Sequence, residues 1–401
     1  MEERPQSDLG LGVQQNPPRP ATLKRINMRR FLEEIRTRGP STRAELTRAT
    51  GVAPPTSSST IADLLETGWL EQSDDDRATA KGRPGKVFRL ASSSTAMVLG
   101  VRIDIDECVI APSGLDGIPR DAEAKRFPTP KDYDGLLQAI FRHADAYLKP
   151  GKGRCLGLGL AVPGLVDEGS GRVAMSPNLH FLDGQPLCTD LQRRLEIEVV
   201  CTQEEHALCL AEQRLGRAKE LSDYAVVDVS SGMGMGVVSG GSYIHGRRGF
   251  AGEIGHVTAE PNGQLCGCGN RGCMETVATD TALLNAVCAR VGQRLSFEEM
   301  TNRIARGNLD IAPELDRTLD YVAIALSSVT NLFNPEAIFL HGRLLDLAPD
   351  TMDRLRVKTR ARALGPSFEG VQLHRAQGNK LYGALAGLLD QVFAAVGPRL
   401  T

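Results

Sequence analysis

No stretch of this 401-residue chain is apolar over the roughly 20 residues needed to cross a bilayer. The amino terminus lacks the short apolar core of a secretory signal, so the expected location is cytoplasmic, with no membrane partner. Strong charge of either sign is missing too, the formal net charge being −2. Residues 1–95 carry 15 Lys and Arg against 12 Asp and Glu, a mild basic excess that suits an anionic partner. Nine cysteines are an odd number and give no disulfide framework. Six of them (Cys108, Cys155, Cys188, Cys201, Cys209, Cys288) stand singly in apolar surroundings and read as buried, reduced thiols. What remains is an ordinary soluble composition, 41% hydrophobic and 24% charged, with length for two or three domains.

The densest chemistry lies between Glu253 and Glu275. His256, Cys266, Cys268 and Cys273 form an H-x9-C-x-C-x4-C pattern. Four N/S donors are what a closed tetrahedral zinc site requires, and a closed site is structural rather than catalytic. The C-x-C spacing differs from the C-x-x-C of redox centres. A zinc knot over residues 256–273 would also fix the carboxylates of Glu253 and Glu275 at its two ends.

Residues 1–20 are rich in Pro, Gly and Gln without periodicity and read as a disordered leader. Residues 21–92 read as a winged helix-turn-helix. Leu23, Ile26, Met28, Phe31, Leu32 and Ile35 give a first helix, and Ser41 is a candidate N-cap for a second, near Thr42–Thr50. Pro54-Pro55 open a third helix that presents Thr56, Ser57, Ser58, Ser59 and Thr60. Such hydroxyl side chains suit phosphate and base-edge contacts in a major groove, with Arg43 beside them. Strands Trp69–Gln72 and Lys86–Leu90 make a wing whose return carries Lys81 and Arg83, an Arg held between Gly and Pro as a minor-groove probe. The competing reading is a small helical domain for protein contacts.

A Ser-rich junction near Ala91–Thr95 precedes residues 96–400, where strand hairpins and alternating strands and helices indicate a mixed-sheet α/β fold, open to duplication. Several segments in order now resemble the ROK family of repressors, open reading frames and sugar kinases. They are Pro177-Asn178-Leu179, Ala251-Gly252-Glu253-Ile254-Gly255-His256, the Cys266–Cys273 knot with Glu275, and Asn334-Pro335 with Gly342. The resemblance implies two actin-like α/β lobes with a ligand cleft between them, and commonly a homodimer or homotetramer.

It also separates two activities. Family kinases open the first strand pair with D-x-G-G-T-K, where this chain reads Arg102-Ile103-Asp104-Ile105-Asp106-Glu107. Carboxylates there would repel a nucleotide, although Ser231-Gly232-Met233-Gly234 keeps part of a second phosphate loop. The Asn-Asp pair that carries the kinase base is replaced by Gln203-Glu204, and His206 stands where the family has Asn. The sugar side is better kept: the resemblance makes Asn178, Glu204, Glu253, His256 and Glu275 the effector-binding set. The expected protein is a regulator without kinase activity, a repressor in its commonest form. It would bind a palindromic double-stranded DNA operator and respond to a sugar or sugar phosphate. A functional sugar kinase, or a regulator that senses a partner protein, are the alternatives.

Overall fold

The computed structural model describes residues 20–74, 86–92, 94–149, 153–167 and 169–396. The expected leader, up to residue 19, and the wing tip with Lys81 and Arg83 lie outside the described residues. The chain divides into two compact units, one running through Arg89 and one from Leu90 to Ala394.

The first unit is built from α1 (Pro20–Arg38), β1 (Ser41–Thr42), α2 (Arg43–Thr50), α3 (Pro54–Glu66), β2 (Leu70–Asp74) and β3 (Lys86–Leu90). The 3–4 spacing of Met28, Phe31, Leu32 and Ile35 buries one face of α1, which packs on α2 and α3. Ser41 is not the cap of α2. It pairs with Phe88 in the sheet, and its hydroxyl donates to Gly39 O at 3.0 Å. Thr42 caps instead: its Oγ1 accepts from Glu45 N at 3.3 Å, and the Glu45 carboxylate accepts from Thr42 N at 2.6 Å. Gly51 closes α2 at φ +66°, which turns the chain sharply towards α3.

The second unit is a pair of similarly wound lobes. The first carries β4 (Ala96–Arg102), β5 (Glu107–Ser113), β6 (Lys125–Pro128), α4 (Tyr133–Asp145) and β7 (Arg154–Val162). A small hairpin, β8 (Leu165–Asp167) and β9 (Arg172–Met175), then leads to α5 (Leu187–Leu195), β10 (Glu198–Gln203) and α6 (Glu204–Arg214). The second lobe carries β11 (Tyr224–Asp228), β12 (Gly234–Ser239), β13 (Ser242–Tyr243), α7 (Asp280–Val291), α8 (Phe297–Ala305) and α9 (Ala312–Phe333). It ends with β14 (Ala337–His341), α10 (Thr351–Arg360), α11 (Gly365–Phe368), β15 (Gln372–Arg375) and α12 (Lys380–Ala394).

Among the described residues the two sheets run β6-β5-β4-β7-β10 and β13-β12-β11-β14-β15. Numbered within each lobe, both orders are 3-2-1-4-5, with the second strand antiparallel and the fourth and fifth parallel to the first. The duplication absent from the sequence is therefore present in the topology. Parallel strands in a buried sheet carry near-continuous apolar runs, as Leu158–Val162 and Ala337–Leu340 do.

Although last in the chain, α12 packs on β4, β7 and α6 of the first lobe. Gly383 makes this possible: a Cβ there would sit 1.8 Å from Ala207 O of α6. That approach brings the first residues of α6 and α12, Glu204 and Lys380, together at the base of the cleft.

One cysteine expectation is corrected. Cys188 and Cys201 are disulfide-bonded, tying α5 to β10. The packing of α5 on β10 brings the two residues together, which their separate places in sequence could not reveal.

Candidate functional site

The knot is folded by its own backbone. Cys266 N donates to Asn270 O at 2.8 Å, Gly269 N to Cys266 O at 3.0 Å, and Met274 N to Val257 O at 2.9 Å. These turns converge the donor atoms of His256, Cys266, Cys268 and Cys273 to within 4.8 Å of one another. Cys268 and Cys273 Sγ are 3.6 Å apart, and Cys266 Sγ is 3.6 Å from His256 Nδ1. Donors bound at 2.0–2.3 Å around a tetrahedral ion stand about 3.5–3.8 Å from each other, so the set can hold a metal ion.

The knot also supports the cleft. A Cβ on Gly267 would lie 2.2 Å from Pro177 O, so the knot presses directly on the loop that carries Asn178. Glu275 Oε1 lies 3.2 Å from Cys266 Sγ, while Oε2 accepts from Met233 N at 3.3 Å. With Nδ1 turned to the sulfurs, His256 points Nε2 at Glu253, 3.7 Å away.

A cleft brings Asn178, Glu204, Glu253, His256 and Glu275 together, all five residues of the expected effector set. Glu205, Asp228 and Ser176 line it as well, and these were not singled out from sequence. Glu205 adjoins Glu204, but neither helical spacing nor any motif marks it. Burial, reinforced by the charge of Glu253, pushes the Glu205 carboxyl up to about 7. Burial followed by Glu275 pushes Glu253 up to about 7. His206 does not enter the cleft: it stacks on Tyr243 with ring centroids 4.1 Å apart, and burial lowers its pKa to about 4.

At the other end of the cleft an ammonium is built into the protein. Lys380, 2% exposed, places Nζ 2.7 Å from Glu204 and 2.8 Å from Asp228, which closes the second lobe's first strand. Burial alone would raise the Asp228 carboxyl, but Lys380 and His341 hold it well below the usual carboxylate range. The same pairing keeps Lys380 above its ordinary value against the cost of burial. Burial pushes Glu204 up despite Lys380. Nearby, Ser231 of the Gly-rich turn donates to Asp104 Oδ1 at 3.0 Å, joining the two hairpins that would flank a phosphate. Glu107 turns away to Arg102 and Arg126.

In the first unit, Thr56 and Ser59 are exposed on α3 and Ser58 is half-buried. Arg43 donates to Ser58 Oγ at 3.2 Å, so the α2 and α3 members of the expected DNA surface adjoin. Ser57 and Thr60 do not join them. Both are buried, and Ser57 Oγ donates to Val52 O at 3.1 Å, securing the turn rather than facing outwards.

A model of the ROK family matches residues 98–386. The chain belongs to the ROK family. It is similar to the xylose repressor of Bacillus subtilis (strain 168), 27% identical over 359 residues that span 86% of this chain and 90% of that protein. Its fold is similar to that of a ROK family transcriptional regulator, a homolog of the E. coli MLC protein. That match has a TM-score of 0.76 at 23% identity and covers 93% of this chain and 97% of that one. The ROK hexokinase of Thermus thermophilus is also similar, with a TM-score of 0.60 at 27% identity over 74% of this chain and 99% of that one. Repressors and sugar kinases thus share these lobes, and the fold is the two-lobed, actin-like one that the family resemblance implied. Among the described residues no helix is long and apolar enough to cross a membrane.

Proposed function

We propose that this ROK protein is a DNA-binding transcriptional regulator, in its commonest form a repressor of carbohydrate-related genes, whose cleft takes a sugar effector. The observation that carries the reading is the contrast between the two ends of that cleft. The sugar end keeps an amide, an imidazole and carboxylates, which accept from and donate to hydroxyls. The phosphate end is filled by the Asp104–Ser231 hydrogen bond and by Lys380 with its two carboxylates. An anionic nucleotide would meet like charge there, so the protein does not act as a kinase. The similarity to a xylose repressor and the helix-turn-helix of the first unit support the same reading.

Zinc in the four-donor knot has a structural role: it holds Glu275 and the Asn178 loop in register and leaves His256 Nε2 for the ligand. Exposed Thr56 and Ser59, with Arg43 and Ser58, contact a double-stranded operator, and Lys81 and Arg83 extend that contact from the wing. A homodimer or homotetramer presents two reading heads to a palindromic site in the cytoplasm. Selecting bound sequences from random DNA, with and without a panel of sugars, tests the whole reading. A single enriched palindrome whose capture changes with one sugar is expected; no enrichment sinks it. A coupled ATP assay over hexoses tests the kinase alternative, and base-dependent turnover would favour that enzyme.

A further inference from the structure

The charge of the cleft restricts what can enter it. Five carboxylates line it, from Glu204, Glu205, Asp228, Glu253 and Glu275, and no Lys or Arg is among its lining residues. Lys380 is already shared by Glu204 and Asp228. Among the described residues, Glu205 and Glu275 form no ion pair with a Lys or Arg, and the cation beside Glu253 is at most an imidazole 3.7 Å away. Asp104 adds a further carboxylate at the Ser231 turn. The Glu205 carboxylate lies against the start of β12, where a Cβ on Gly234 would be 2.1 Å from its Oε1.

A second observation points to a ligand rather than to charge alone. Ser176 is completely buried and lines the cleft, yet its hydroxyl has no hydrogen-bond partner. A buried hydroxyl left unpaired costs stability, so a partner that arrives with the ligand accounts for its placement. Ser176, Asn178 and the carboxylates can all bond hydroxyl groups, but carboxylates without a Lys or Arg partner pair more strongly with a cation. A phosphate could accept from Ser176 and Asn178, but its oxygens would lie among carboxylates, acceptors of like charge. An ammonium on a sugar ring suits the carboxylates, because three N–H donors can each meet a carboxylate oxygen in a charge-assisted bond.

Resting on the proposed role of the cleft as an effector site, we infer that its preferred ligand is an unphosphorylated amino sugar, with the amine turned to Glu205 and Glu253. The neutral parent sugar binds more weakly, and the sugar phosphate is rejected.

Calorimetric titration of the zinc-loaded full chain with matched triples tests this. The triples are glucose, glucosamine and glucose 6-phosphate, with the corresponding manno- and galacto-configured sets. In at least one configuration the amine is expected to bind about tenfold or more tighter than the neutral sugar, with no heat from the phosphate. Equal affinity for amine and neutral sugar, or tighter binding of any phosphate than of its parent, overturns the inference. Glu205→Gln is expected to bring the amine-to-neutral ratio towards one; an unchanged ratio also overturns it. If a neutral or phosphorylated sugar binds best and alters operator capture, the effector reading stands and only this inference falls. If none of the nine binds while operator binding is intact, the effector reading falls and takes this inference with it.

Discussion

Lys380 is a buried ammonium shared by two acids, so its removal is expected to be costly. Without its ammonium, Glu204 would remain as an unpaired acid in the interior and Asp228 would keep only His341, a loss of about 3–5 kcal/mol for Lys380→Met in urea unfolding. The triple variant Lys380→Met, Asp228→Asn, Glu204→Gln is expected to regain much of that loss, since neutral amides need no counter-ion. Glu205 supplies a pH signature. Its carboxyl binds a proton more tightly folded than unfolded, so the folded state is favoured at low pH and loses stability as pH rises from about 4.5 through about 7. Glu205→Gln should flatten that part of the profile in unfolding midpoints taken at pH 5, 6 and 7; an unaltered slope would remove Glu205 as its source. These two residues also mark the limit of what could be read in advance. Glu253, His256 and Glu275 were legible because the knot fixes them within 23 residues of one another. Lys380 was not, because its partner Glu204 lies 176 positions earlier and the two meet only once Gly383 lets α12 close on Ala207.

Elements carry the next set of consequences. On α3, Ser59→Ala and Thr56→Ala should each weaken operator binding in a mobility-shift assay without altering thermal stability, because both side chains are exposed. Ser57→Ala should do the reverse, lowering stability by about 1 kcal/mol through loss of its bond to Val52 O. The α2 cap was readable as Thr-x-x-Glu at Thr42–Glu45, yet Ser41 competed for the role. The decision lay with β1, since pairing with Phe88 took Ser41 out of reach. Short elements such as β15 left no sequence trace, as Leu373 is the single apolar residue in its four. In the knot, chelation of the metal or Cys268→Ser should loosen both the Glu275 carboxylate and the Asn178 loop. Metal content, melting temperature and sugar affinity are then expected to fall together; a fall in metal content alone would deny the knot its supporting role. At the helix crossing, Gly383→Ala would drive a methyl into Ala207 O and cost about 1–3 kcal/mol despite alanine's better helix propensity.

For the molecule as a whole, two lobes of one topology meet across a cleft whose ends have become chemically unlike. The family match and the alternating pattern made the lobes legible, whereas their equivalence lay in strand order and direction, which no residue identity reports. A coupling free energy of only ~1–3 kcal/mol between sugar and operator is enough to change occupancy usefully. By reciprocity, operator DNA must shift the affinity for sugar by the same factor, which titrations with and without DNA can measure. The ammonium of Lys380 gives such a regulator one more property. A diffusible phosphate ligand comes and goes with its concentration, but a charge tethered to the backbone is present in every molecule at all times. Because it joins Glu204 of the first lobe to Asp228 of the second, this link across the base of the cleft is made whether or not a ligand is bound.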